Sequence, residues 1–255
     1  MGINNRDYNT SNPTIEKPHN EAIKSAGSRA VNMAKVYGYL FLALLFTAGV
    51  AFGIGYLFSL WIASNADNAV VGMNVILIVS AIGLIVLSFT VQGVAFSNKH
   101  SVIPYFIGYV TLMGVLLSTF TMFIDWRILG VAFGITSLVI ALDAIIALFS
   151  KGNMNFLATL GITLLFGGGM VFFFSWLFIF LFPNVFGPLL YAIDFIVFAA
   201  ITILTLVDIA RINKIAERGE MSTNLSLYCA FIIYTDFIYI FIRIVRYIAI
   251  FSSRN

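Results

Sequence analysis

Four of the eleven acidic residues fall inside long apolar runs: Asp143, Asp194, Asp208 and Asp236. A carboxylate near the middle of a membrane helix costs about 3 kcal/mol on insertion scales, so each such acid is a functional hypothesis by default. Asp194 stands six residues beyond Pro188 and reads as a solvated position at the membrane interface. Asp143 is flanked on both sides by Val, Ile, Leu and Ala and is deeper. It fits either an ion or proton pathway or a plain hydrogen bond to a Ser or Thr of a neighbouring helix, and both readings stay open. Asp208 and Asp236 lie on consecutive apolar runs joined by one charged stretch, which predicts antiparallel neighbouring helices. Asp208 is three residues before Arg211, and Asp236 is thirteen residues after Thr223. At 1.5 Å per residue a symmetric hairpin leaves Asp236 deeper by roughly 15 Å. The two meet only if the last helix starts outside the membrane and enters it late, which the polar stretch 221–229 allows. Carboxylates about 4 Å apart repel by roughly 4 kcal/mol at an effective dielectric of 20. Such a pair tends to share one proton and to exchange it as a unit. Deprotonated, it offers clustered hard oxygens of the kind calcium accepts. Protonated, it is a neutral clasp between helices. A pH-gated cation path suits this chemistry, although spacing alone does not identify one.

The elements that must carry these acids are membrane helices. Of 255 residues, 61% are apolar and 10% charged, against about 25% charged in a soluble domain, too few to dress a water-facing surface. One helical crossing takes about 20 residues. The apolar runs divide at polar or helix-breaking stretches into seven: 36–61, 70–96, 102–124, 128–149, 156–182, 188–210 and 225–251. The fold expected is all-α, a polytopic seven-helix membrane protein. Residues 1–34 read as a cytosolic, largely disordered tail, 35–251 as the membrane domain and 252–255 as a short C-terminal tail. The stretch from Glu21 to Lys35 is able to continue the first helix outward. The first apolar run starts too late for a cleavable signal peptide. The single Cys229 excludes an intramolecular disulfide and reads as a small buried hydrophobe.

Lys and Arg concentrate on cytosolic loops. With the N-terminus inside, Arg6, Lys17, Lys24, Arg29, Lys35, Lys99, Lys151, Arg211, Lys214 and Arg218 are cytosolic, and Arg127, Arg243, Arg246 and Arg254 lie outside. This favours N-in. The three late arginines remain in conflict with it, and a re-entrant last segment removes the conflict. The apolar length of that segment argues for a full crossing. The net charge of +3 fits membrane orientation better than nucleic-acid binding.

Enzyme chemistry finds no support. His19 and His100 fall in the tail and a loop without a zinc-type cluster, and no nucleophile elbow or phosphate loop occurs. Gly167-Gly168-Gly169 reads as a site of close helix packing. Phe172-Phe173-Phe174 reads as lipid- or core-facing surface. Trp61 and Trp126 fit an interfacial aromatic belt. No cofactor is expected.

The run Leu204-Thr205-Leu206-Val207-Asp208-Ile209-Ala210-Arg211-Ile212 resembles the sixth-helix ending of the Bax inhibitor family. Tyr234-Thr235-Asp236-Phe237-Ile238-Tyr239-Ile240-Phe241 resembles that family's last-helix motif, Tyr-Leu-Asp-Phe-Ile-Asn-Leu-Phe, and Arg246 falls where members often have an arginine. Lys35-Val36-Tyr37-Gly38 and Asn155-Phe156-Leu157 are family-like openings of the first and fifth helices. The resemblance covers nearly the whole chain in layout, with its specific motifs in the last fifty residues. It implies a last helix central among the other six, and a calcium leak controlled by an aspartate pair matching Asp208 and Asp236, which would also be the calcium ligands. It implies a prokaryotic-type member, with calcium ions, protons and lipid as partners, and a compact chain without targeting extensions fits a bacterial plasma membrane. In prokaryotic relatives a basic residue ending the second helix latches onto the first aspartate. Here 92–98 holds no arginine, and Lys99 is the nearest substitute. The two aspartates are about four residues further apart than in relatives, as though a helical turn were inserted before Asp236. Two rival functions remain: a regulatory protein that binds other membrane proteins such as proteases or stress and cell-death factors, and a proton-coupled transporter of a small solute.

Overall fold

The computed structural model describes the backbone of residues 16–97, 100–149, 154–181, 186–219 and 221–252. Of these it describes the side chains of 27–65, 68–96, 100–149, 154–167, 169–170, 191–219 and 221–252. The described residues form seven α-helices: α1 Glu16–Ser64, α2 Ala66–Ser97, α3 Ile103–Phe123, α4 Trp126–Phe149, α5 Met154–Leu181, α6 Phe186–Glu217 and α7 Thr223–Ser252. All but α5 hold a described stretch long and apolar enough to cross a bilayer; α5 is a 28-residue helix whose described apolar part is Met154–Gly167. The fold is a polytopic helical membrane protein. Its surface carries the expected inversion, with Phe41, Val79, Phe89, Leu138 and Phe166 all exposed where a soluble protein would place polar groups.

The helix ends differ from expectation at two informative places. α1 begins at Glu16, so the outward extension is present and starts before Glu21. The first fifteen residues of the expected tail lie outside the described residues. α6 runs on through Arg211 to Glu217, so the loop expected over 211–223 shrinks to the few residues before Thr223. The reason is local: Ile212, Asn213 and Ala216 pack as a buried face on the extension, and Gly219, at φ 139°, turns the chain where an L side chain would be strained.

α7 is a continuous 30-residue helix, about 45 Å long, which exceeds the hydrocarbon thickness of a bilayer. It packs against α1, α2, α3, α4 and α6, while α5 packs chiefly along α6. Its last turns reach the end of the bundle occupied by the start of α6 and the end of α3, where Ile242 and Arg246 share a cavity wall with Phe120 and Ile124. It therefore runs the full length of the bundle and does not re-enter. Within its apolar window 56% is buried, against 17–39% in the other five. That burial rests on an aromatic cluster in which Phe106 and Tyr109 of α3 meet Phe231 and Tyr234 of α7 edge to face, with centroids 4.8–6.2 Å apart. The fully buried Tyr234 hydroxyl bonds Thr47 of α1 at 2.7 Å. Cys229 is buried and free.

At the end holding the start of α3 and of α7, hereafter the inner end, polar side chains close the bundle. Asn32 of α1 donates to the Ala216 and Gly219 carbonyls at 3.0 and 2.6 Å and accepts from Met221 N at 3.3 Å. Arg29 pairs with Glu217 at 2.6 Å. Asn224 donates to the His100 carbonyl and accepts from Val102 N. Helices also approach closely at Gly55, Gly114 and Gly161. A Cβ at Gly114 would come within 2.7 Å of Val50, and one at Gly161 within 2.9 Å of Leu204. Two glycines of the triplet, Gly167 and Gly169, do not serve this purpose among the described residues, and Gly168 lies outside the described side-chain positions. A Cβ on Gly167 or Gly169 would meet nothing within 4 Å among the described residues, with α5 packed chiefly along α6, and the expected close packing is corrected at these two positions. The side chains of Phe172, Phe173 and Phe174 lie outside the described residues.

Candidate functional site

The long α6 decides how the two motif aspartates meet. Nine residues separate Asp208 from the α6 end at Glu217, and thirteen separate the α7 start at Thr223 from Asp236. The four-residue difference is about 6 Å along the axes, not 15 Å, and side chains span it. Asp236 accordingly faces the charge of Asp208 across the α6–α7 contact, with the Thr205 side chain beside it. The Thr205 hydroxyl itself donates to the Ile201 carbonyl at 2.9 Å. The two carboxylates do not close into a hydrogen-bonded clasp. Asp208, 30% exposed, is held by Arg211 at 3.4 Å, and Oδ2 of Asp236 is buried without a hydrogen-bond partner.

A third acid joins them. Asp143 of α4 is only 6% exposed, its Oδ2 has no partner, and its charge is felt at Asp236. Both α6 and α7 pack on α4, so the centre is a loose three-carboxylate cluster shared by α4, α6 and α7. Among the described residues no three His, Cys, Asp or Glu side chains stand close enough to hold a metal ion as a cage.

Asp194 is placed differently from its expected solvated position. It is 9% exposed and is paired with Arg243 and Arg246 of α7, the second at 3.4 Å. Arg243 also donates to the Asp194 carbonyl at 3.2 Å. A turn-spaced pair of arginines on α7 shares one carboxylate oxygen of the α6 acid, which is why cations are tolerated near the end of a membrane helix. The signal available in the sequence was a shared anomaly, an acid and two cations in consecutive apolar runs, and not their pairing. Lys99 lies outside the described residues. The cation at Asp208 is Arg211, one turn away on the same helix, a partner the i,i+3 spacing already announces.

Toward the outer end, α1, α3, α4 and α7 enclose a cavity of about 400 Å³, lined by apolar groups such as Phe52, Leu117, Phe133 and Phe237. The hydroxyls at its wall are already bonded, Thr47 to Tyr234 and Thr121 to the Ser118 and Ala51 carbonyls. The polar centre thus has a dry side and, beyond it, the Asp194–arginine pair.

No curated protein and no solved structure matches the chain. A family model described as "Inhibitor of apoptosis-promoting Bax1" matches residues 29–253, which takes in α1 from residue 29 onward, all of α2 to α7 and both aspartate motifs. The seven-helix layout, the buried last helix and the aspartates facing each other across α6 and α7 agree with that match: the chain belongs to the Bax inhibitor family.

Proposed function

We propose that the protein is a pH-sensitive cation leak, with calcium as its ion, gated at the carboxylates Asp208 and Asp236. The observation that carries this reading is the convergence of Asp143, Asp208 and Asp236 on three packed helices inside a membrane protein. Asp236 lies in the field of the other two acids, and the three cannot all stay charged without cost, so the cluster gains and loses protons together with any cation that neutralises it. With a proton aboard, Asp236 no longer attracts a cation; without it, the cluster offers several hard oxygens in line. Arg211 competes for Asp208, and its release is coupled to the same charge balance. The N-terminus is assigned to the cytosol by the excess of Lys and Arg at the inner end, in a plasma membrane. Purified protein in liposomes loaded with a calcium indicator is expected to leak calcium at a rate that shifts as pH crosses neutral. Asp208→Asn and Asp236→Asn are each expected to remove most of that pH dependence. An unchanged pH response in both variants reassigns the acids to structure. A leak-free preparation that captures a membrane-protein partner from detergent extract favours a regulatory role, and saturable solute uptake favours a transporter.

A further inference from the structure

Tyr37 of α1, Asn213 of α6 and Asp143 of α4 each bury an oxygen with no hydrogen-bond partner: the Tyr37 hydroxyl, Asn213 Oδ1 and Asp143 Oδ2. Unpartnered buried oxygens are costly in any protein, and more so where no solvent surrounds the helices. Two of the three residues line one cavity of about 320 Å³, whose other walls include Arg29, Met33, Ala144 and Leu148. Asp143 is the residue next to Ala144 on the same helix. Asn213 is itself only 6% exposed, so its oxygen belongs to the interior and not to the surface. The cavity lies toward the inner end, its mouth marked by Arg29, whose charge is neutralised by Glu217 at 2.6 Å. At about 30 Å³ per molecule in the liquid, the volume holds on the order of ten waters.

We infer that this cavity between α1, α4 and α6 is a hydrated inlet that delivers hard cations from the inner face to the acidic cluster, with the Tyr37 hydroxyl, the Asn213 amide oxygen and Asp143 as successive oxygen contacts. The inference rests on the cation-leak reading for the identity of its cargo, but its hydration is a separate property. A phenol, an amide carbonyl and a carboxylate are oxygen ligands suited to calcium or to its hydration shell. The larger cavity of about 400 Å³ toward the outer end lacks this character, since its hydroxyls are already bonded. The inlet is therefore wet on one side of the cluster only.

The test uses the full chain with Cys229→Ala as background. Ala144→Cys and Met33→Cys place a thiol in the cavity wall away from the exposed surface, and Leu142→Cys places one on the exposed, lipid-facing side of α4. A membrane-impermeant cationic methanethiosulfonate reagent, applied from the inner face, is expected to label the two cavity cysteines at least tenfold faster than Leu142→Cys. It is also expected to outpace its anionic counterpart of equal size. Cavity cysteines as unreactive as Leu142→Cys overturn the inlet. In calcium-indicator liposomes, Tyr37→Phe and Asn213→Leu are expected to slow the leak severalfold with an unchanged melting temperature, and a full-rate leak in both overturns their role as contacts. If the parent chain passes no calcium while the cavity cysteines still label, the leak reading fails and the hydrated inlet stands.

Discussion

Asp194 and its two arginines show how a charge survives deep in this protein. The acid is buried, Arg243 is mostly covered and Arg246 is 54% exposed, so their contributions differ. Removing the acid leaves two cations facing each other across a low-dielectric contact, whereas removing Arg246 leaves the closer pair intact. Asp194→Ala is expected to destabilise the folded protein by about 3–5 kcal/mol, and Arg246→Gln by no more than about 1 kcal/mol. Thermal melting of the detergent-solubilised protein checks both, and equal losses would show that Arg243 does not dominate. That Asp194 and the late arginines belong together was readable as a shared anomaly, an acid and two cations in apolar helices. Their pairing was not readable, because it needs α6 and α7 in register.

The helices are held in that register by close crossings and by bonds at the inner end. Gly114 lets α3 lie against α1, with Val50 2.7 Å and the Thr47 carbonyl 3.1 Å from any added Cβ. One of those neighbours is backbone and cannot move aside. Gly114→Val is expected to cost about 1–3 kcal/mol by overpacking, while Gly134→Ala, which meets nothing within 4 Å, is expected to cost nothing. Denaturation of the two variants side by side separates a packing role from a general intolerance of glycine replacement. The segment boundaries were legible where a polar break is sharp, as at Asp125 and Trp126. They were not legible past Arg211, since a helix extended by a buried Ile212 and Ala216 face looks from charge alone like a loop.

For the whole molecule, seven described helices and a last helix that runs the full length of the bundle predict that the start of α1 and the end of α7 emerge on opposite faces of a membrane. Epitope tags at the N- and C-termini are expected to be reached by antibody from opposite sides of sealed vesicles, and tags reached from one side would refute the full crossing by α7. Membership of the class was settled by composition, because a chain with 10% charged residues has no soluble solution to its surface. The family was legible in two short motifs, and Asp208 and Asp236 stood out within them as acids that hydrocarbon penalises. Those conclusions follow from transfer energies and local spacing, which a sequence carries residue by residue. What only the tertiary structure decided is which charges share a space. α6 extends far enough to level Asp208 with Asp236, α4 brings Asp143 to them, and α7 carries Arg243 and Arg246 to Asp194. Each of these depends on the relative depth of packed helices, and depth is set by the sum of many contacts rather than by any local pattern.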